Sequence, residues 1–142
     1  MFRVTRRYRF SASHRLHSVL LSDEQNQQVY GKCDHPYGHG HNYVLEVSAE
    51  GPLDPSGRAV DSRLLDGLVA RRVLEPFDHR NLNTDIEWPG SVVPTSENLG
   101  MEICRRLRED WASVFPGEWP KLATVRIEET PRNIFEIRVD EI

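Results

Sequence analysis

His39 and His41 stand at positions i and i+2 of the segment HGHNYVLEV. In an extended chain that spacing puts both imidazoles on one face, where they can share a metal ion. Two surface histidines satisfy the same pattern, because zinc asks for three or four ligands. A third candidate is His14, at the end of FSASHRL. Three histidines with an open fourth position make the donor set of a catalytic zinc site. Cys33 precedes His39 in the intervening segment. It is either a fourth ligand that closes the site, a small buried hydrophobe, or a free thiol whose pKa a nearby cation and imidazoles lower, making it a base. Cys104 lies beside Ile103 in an amphipathic stretch and reads as a core residue. Asp78 next to His79 is an arrangement that tunes an imidazole for proton transfer, and equally an ordinary turn pair. Glu129 sits in a strand-like segment, either solvated or accepting two N–H bonds from a guanidine-like heterocycle.

These residues need elements to carry them. Loose alternation from Phe2 to Ser11 predicts a first strand ending near His14, and alternation through Tyr43, Leu45 and Val47 predicts a second. If the two pair antiparallel, His14 meets the His39/His41 pair. The intervening segment is polar, lacks sustained periodicity and reads as a long functional loop. Asp61 caps a helix expected over Ser62–Leu74, and Pro94 and Thr95 open a second one, with Leu99, Ile103, Leu107 and Trp111 at i, i+4 steps, ending before Pro116. Closing strands are expected near Ala123–Glu129 and Asn133–Asp140. The order predicts an α+β domain, a four-stranded antiparallel sheet with two helices on one face. Its edges, the last strand above all, lack protective proline or lysine and invite pairing with another subunit.

A length of 142 residues fits one domain, 1–142, and 38% hydrophobic with 28% charged residues is a composition that folds. A net charge of −4 with no clustered basic face argues against nucleic acid as a partner. The N-terminal MFRVTRRYRF is neither a signal peptide nor a span, no apolar stretch is long enough for a membrane helix, and two distant cysteines imply no disulfide framework; a reduced, cytoplasmic setting is expected.

Taken together, FSASHRL, YGKCDHPYGHGHNY, LEPFDHRNLN, PTSENL and IEET, in that order from about Phe10 to Thr130, resemble the 6-pyruvoyltetrahydropterin synthase family, which includes the 6-carboxytetrahydropterin synthases of the deazapurine (queuosine) pathway. The resemblance implies the tunnelling fold, with subunits joined edge to edge into barrels, typically as homohexamers of two stacked trimers with active sites at subunit junctions. It implies a zinc cofactor held by His14, His39 and His41. It makes Cys33 the catalytic thiol, in a proton-relay triad with Asp78 and His79 contributed across a subunit boundary. Glu129 is then the residue that anchors the pterin ring, with Thr95 and Ser96 at ring-contacting positions and Glu97 a neighbour. The implied substrate is 7,8-dihydroneopterin triphosphate.

Within the family, eighteen residues between His14 and Cys33 resemble the longer loop of the biopterin-pathway enzymes, and favour the pyruvoyl-forming reaction over the carboxy-forming one. Arg15 and Lys32 are candidates for the triphosphate by position. Two other readings are a cupin-like metal protein, disfavoured because Glu46 falls on the opposite strand face from the histidines, and a zinc-stabilised binding module with Cys33 as fourth ligand.

Overall fold

In the computed structural model, which describes all residues from Met1 to Ile142, β1 (Phe2–His14) and β2 (His39–Gly51) pair antiparallel along their whole length, from Phe2↔Gly51 to His14↔His39. β4 (Lys121–Thr130) pairs antiparallel with β2, and β5 (Asn133–Arg138) with β4. The sheet has five strands and not four: a two-residue β3 (Arg80–Asn81) lies parallel to β1 at Ala12 and Ser13, giving the order β3-β1-β2-β4-β5. Two residues are too few to leave an alternating pattern.

The segment expected as a loop contains a helix, α1 (Asp23–Tyr30), followed by a 3₁₀ turn, Gly31–Asp34. Ser22 and Gln25 form a reciprocal capping box at its start. No apolar stripe betrays it, because its one buried residue is Asn26. The helix capped by Asp61 runs as α2 (Ser62–Val69), widens into a π-helical turn at Ala70–Leu74, and ends in α3 (Glu75–Phe77), three residues beyond the expected Leu74. α4 (Ser96–Val114) follows, with Thr95 as its cap.

Strand alternation sorts the sheet faces. Phe10, Ala12, Tyr43, Leu45, Val47, Val125 and Ile127 are buried on one face beneath Leu65, Leu68 and Val73 of the first helical rod and Leu99, Ile103 and Leu107 of α4. Cys104 is buried among them, and burial pushes its thiol up to about 11. On the other face no helix lies, and the side chains pair with one another: Arg3 with Glu50 at 2.6 Å, and Arg7 and Arg126 with Glu46 at 3.0 and 3.1 Å. Glu46 therefore points away from the histidine face, as the pleat requires.

Within α4 the buried Glu102 accepts hydrogen bonds from Arg105 and Arg106, and it is Arg106 that reaches the rod. Arg106 in turn lies 4.7 Å above the ring of Phe77, immediately before Asp78. Burial works against ionisation of Glu102, but the two arginines outweigh it and hold its carboxyl below the usual range. A depressed folded pKa contributes stability above the unfolded value of about 4.3 and loses it as pH falls through the folded one. We expect Glu102→Gln to destabilise the fold by ~2 kcal/mol in urea melts at pH 7. The gap to the parent should narrow as pH falls below about 4.3, where the unfolded chain takes up the proton, and close once pH passes the depressed folded value.

Candidate metal centre

The register of β1 and β2 assembles the three histidines. His14 is paired with His39 and Ala12 with His41, so the three side chains stand on the helix-covered face at one end of the sheet. His14 Nε2 lies 3.0 Å from His39 Nε2, and the ring centroids of His39 and His41 are 4.7 Å apart. Pro94, just before the Thr95 cap, accepts a hydrogen bond from Nδ1 of His14 at 2.7 Å. That bond fixes the tautomer and leaves the Nε2 lone pair aimed at the other imidazoles. The Pro94 carbonyl is itself held in place: Asn98 Nδ2 donates to Val93 O and Asn98 N to Thr95 Oγ1.

Glu129 completes the cluster. It follows the buried Val125 and Ile127 at period two, and a register shift between Glu128 and Thr130 falls at its position. Its Oε1 lies 3.1 Å from His41 Nε2 and 3.5 Å from His14 Nε2. One donor atom from each of His14, His39, His41 and Glu129 falls within 4.8 Å of all the others. Reading Glu129 as a ring anchor alone thus misses its place beside the imidazoles, although the i−2 and i−4 apolar residues carry that signal.

The donor set fits a divalent metal. His41 Nε2 is buried without a hydrogen-bond partner of good geometry, a cost that a cation removes. Burial, together with the neighbouring imidazoles, lowers the pKa of His14 and His39, which keeps both in the neutral form that ligates.

Cys33 is half-buried on the 3₁₀ turn and lies outside that four-residue group. Its pKa is raised, first by burial and then by the charge of Glu129. Both effects act without a cation, which is the group expected to lower the thiol. Asp78 Oδ1 accepts from the backbone N–H of Ser11 at 2.8 Å, and Oδ2 is 3.1 Å from His79 Nδ1. His79 adopts φ 59°, a left-handed conformation uncommon outside glycine, and its N–H donates to Ser11 O at 2.6 Å. Its side chain is 83% exposed, and no hydrogen bond or ion pair joins it to Cys33 within the chain. An open cleft of about 520 Å³ nevertheless has both His41 and His79 in its lining, with Ser11, Ser13, Asn42 and Asp85.

Thr95 spends its hydroxyl on Asn98 N, whereas the hydroxyl of Ser96 is buried without a partner. The Arg15 guanidinium is committed to Asp34, at 3.1 Å, and Lys32 is exposed.

Three imidazoles and a carboxylate on the covered face of a largely antiparallel sheet define an α+β protein with a donor cluster that could hold a metal ion. Residues 3–140 match the family model of 6-pyruvoyl tetrahydropterin synthase, and the chain belongs to that family. It is 43% identical over 136 residues to the 6-pyruvoyl tetrahydrobiopterin synthase of Poecilia reticulata, covering 95% of this chain and 88% of the relative. Identity to the Homo sapiens protein of the same name is 40% over 132 residues, 92% of this chain and 87% of that one. The structure of Caenorhabditis elegans 6-pyruvoyl tetrahydropterin synthase superposes with a TM-score of 0.86 at 41% identity, over 96% of this chain and 94% of the other.

His39→Ala and His41→Ala should each lose stoichiometric metal by elemental analysis while remaining folded by circular dichroism. Undiminished metal content in either variant excludes that histidine as a ligand.

Proposed function

We propose that the chain is a zinc-dependent 6-pyruvoyltetrahydropterin synthase, a lyase that converts 7,8-dihydroneopterin triphosphate to 6-pyruvoyltetrahydropterin with elimination of triphosphate. The observation that carries this reading is the identity of about 40% to pyruvoyl-forming synthases across nearly the whole chain, on top of the three-imidazole cluster.

The reaction is an elimination plus an internal redox shuffle with no external hydride donor, so protons must leave and return along the substrate side chain. Zinc held by His14, His39 and His41 would supply Lewis-acid polarisation of the side-chain hydroxyls. Cys33 takes a proton at Sγ and returns it, the role of a general base that becomes a general acid. Glu129 accepts two N–H bonds from the 2-aminopyrimidinone ring, since one carboxylate has two oxygens for two parallel donors. The same carboxylate borders the imidazoles, so ring and metal lie within one side chain's reach of each other. Ser96, whose hydroxyl is buried and free, and Thr95 beside it contact the ring.

His79, polarised by Asp78, completes the relay to a Cys33 on another subunit. In support, His79 is exposed and has no link to its own Cys33. The outer edges of β5 and of β1 up to Arg9 carry no strand partner, and edges of this kind close by pairing with further copies into the barrels of a homohexamer. The enzyme works in the cytoplasm on a small-molecule pterin, with neither nucleic acid nor membrane as partner; no helix is long and apolar enough to cross a membrane.

The zinc-loaded protein, incubated anaerobically with dihydroneopterin triphosphate, should release 6-pyruvoyltetrahydropterin by mass. A 6-carboxytetrahydropterin product would assign it to the deazapurine (queuosine) branch. Cys33→Ala should keep zinc and lose about 10²- to 10⁴-fold in rate; loss of zinc with the thiol would instead make Cys33 a ligand.

The shared site has its own test. Cys33→Ala mixed with His79→Ala, with subunit exchange verified by mass spectrometry, should regain activity that neither variant has. Exchange without recovery would place the triad within one chain.

A further inference from the structure

The turn that carries Cys33 has no apolar anchor of its own. It is held by polar bonds to the three residues that leave β1. Leu16 N donates to Cys33 O at 2.7 Å, and Arg15 Nε donates to Asp34 O at 2.9 Å. The Asp34 carboxylate, almost fully buried, accepts a hydrogen bond at Oδ1 from His17 Nδ1 at 2.6 Å and forms an ion pair with the Arg15 guanidinium at 3.1 Å.

The other ends of these donors are fixed as well. Asn83 clamps the Arg15 backbone from both sides, accepting from its N–H and donating to its carbonyl. Asn26, fully buried in α1, accepts from Ser18 N and donates to the carbonyls of Ser18 and Ser22, while its Nδ2 stands 3.4 Å from His17 Nε2. His17 with its proton on Nδ1 donates to Asp34 and accepts at Nε2, so both ring nitrogens are used. The chain from His14 to Asp34 is thus closed at its two ends by one carboxylate, a single residue away from the thiol.

We propose that Asp34 is the positioning residue of Cys33: through Arg15 and His17 it holds the thiol-bearing turn at a set distance from the imidazoles that the same strand supplies. A buried carboxylate is costly unless its oxygens are occupied, and here both partners come from the three residues that follow the metal-binding His14. Asp34 lies outside the imidazole group and, in this reading, acts through Cys33. The proposal rests on the reading of Cys33 as the base.

The test compares Asp34→Ala and Asp34→Asn, alone and with Cys33→Ala, in the zinc-loaded enzyme. Asp34→Ala should lower kcat about tenfold to a hundredfold, the size of effect expected from an ångström-scale displacement of a reacting group. Zinc content should stay stoichiometric and KM within about threefold. Asp34→Asn, which keeps one acceptor oxygen, should recover most of the loss. In a Cys33→Ala background, Asp34→Ala should leave the residual rate unchanged, because a residue acting through the thiol has nothing left to act on. His17→Ala removes one Asp34 partner without touching the turn, and should give a smaller fall in kcat that Cys33→Ala likewise abolishes.

An unchanged kcat in Asp34→Ala, or an equal further loss in the Cys33→Ala background, overturns the proposal while leaving the base intact. Full activity in Cys33→Ala itself overturns the base reading instead. Should Asp34→Ala fail to fold, Asp34→Asn and His17→Ala carry the same cycle, and additivity of either with Cys33→Ala is the result that refutes it.

Discussion

Everything about the site depends on the pairing register of β1 with β2. His14 comes from one strand, His39 and His41 from the other, and the direct pairing of His14 with His39 makes them one cluster. A slip of one residue would send one strand's histidines to the opposite face of the sheet, because side chains alternate with period two. The same slip would expose Phe10 and Ala12 and bury Arg9 and Ser11. The core and the imidazole cluster thus share a single register, and the apolar residues that stabilise the fold also select the arrangement of the imidazoles.

The two faces of the sheet divide the labour. The covered face carries the core and, at its end, the imidazoles with Glu129, close enough to apolar packing that burial lowers the pKa of His14 and His39. The uncovered face carries a lattice of arginine and glutamate pairs, each partner on a neighbouring strand. Exposed pairs of this kind add little stability, but they leave no large apolar surface to be hidden by another layer. What a lone chain leaves unsatisfied is the backbone along its outer strands, so the copies of the proposed assembly would add along the sheet and not on top of it.

Much of this is legible in the sequence. The long strands, the two principal helices and the helix caps at Asp61 and Thr95 follow from periodicity and capping chemistry, and the three histidines from spacing together with the pairing of adjacent strands. What escapes has physical reasons. α1 packs through Asn26, a polar residue that leaves no apolar stripe, and β3 is too short to alternate. The π-helical turn at Ala70–Leu74 leaves the apolar pattern nearly intact while lengthening the rod. Glu129 shares the covered face with Val125 and Ile127, as period two predicts, but that face ends in imidazoles there, and how near β4 carries a carboxylate to them is set by the pairing of strands and not by the local pattern. Asp34 and His17 lie in a segment without period, where proximity depends on how two loop ends meet.

The bonds from Ser11 to Asp78 and His79 do more than hold those two residues. They consume both the N–H and the carbonyl of Ser11 on the outer edge of β1, and β3 takes the edge at Ala12 and Ser13 just beyond. A strand laid along that edge therefore runs out of free backbone at Arg9 and meets the left-handed His79 as an end-stop. The stop would phase an incoming strand as a buffer phases a rail car, by where travel ends and not by what lies along the track. Since the buffer is itself a side chain of the proposed relay, the arrival of a neighbour in the proposed assembly and the alignment of its chemistry would be measured from the same point.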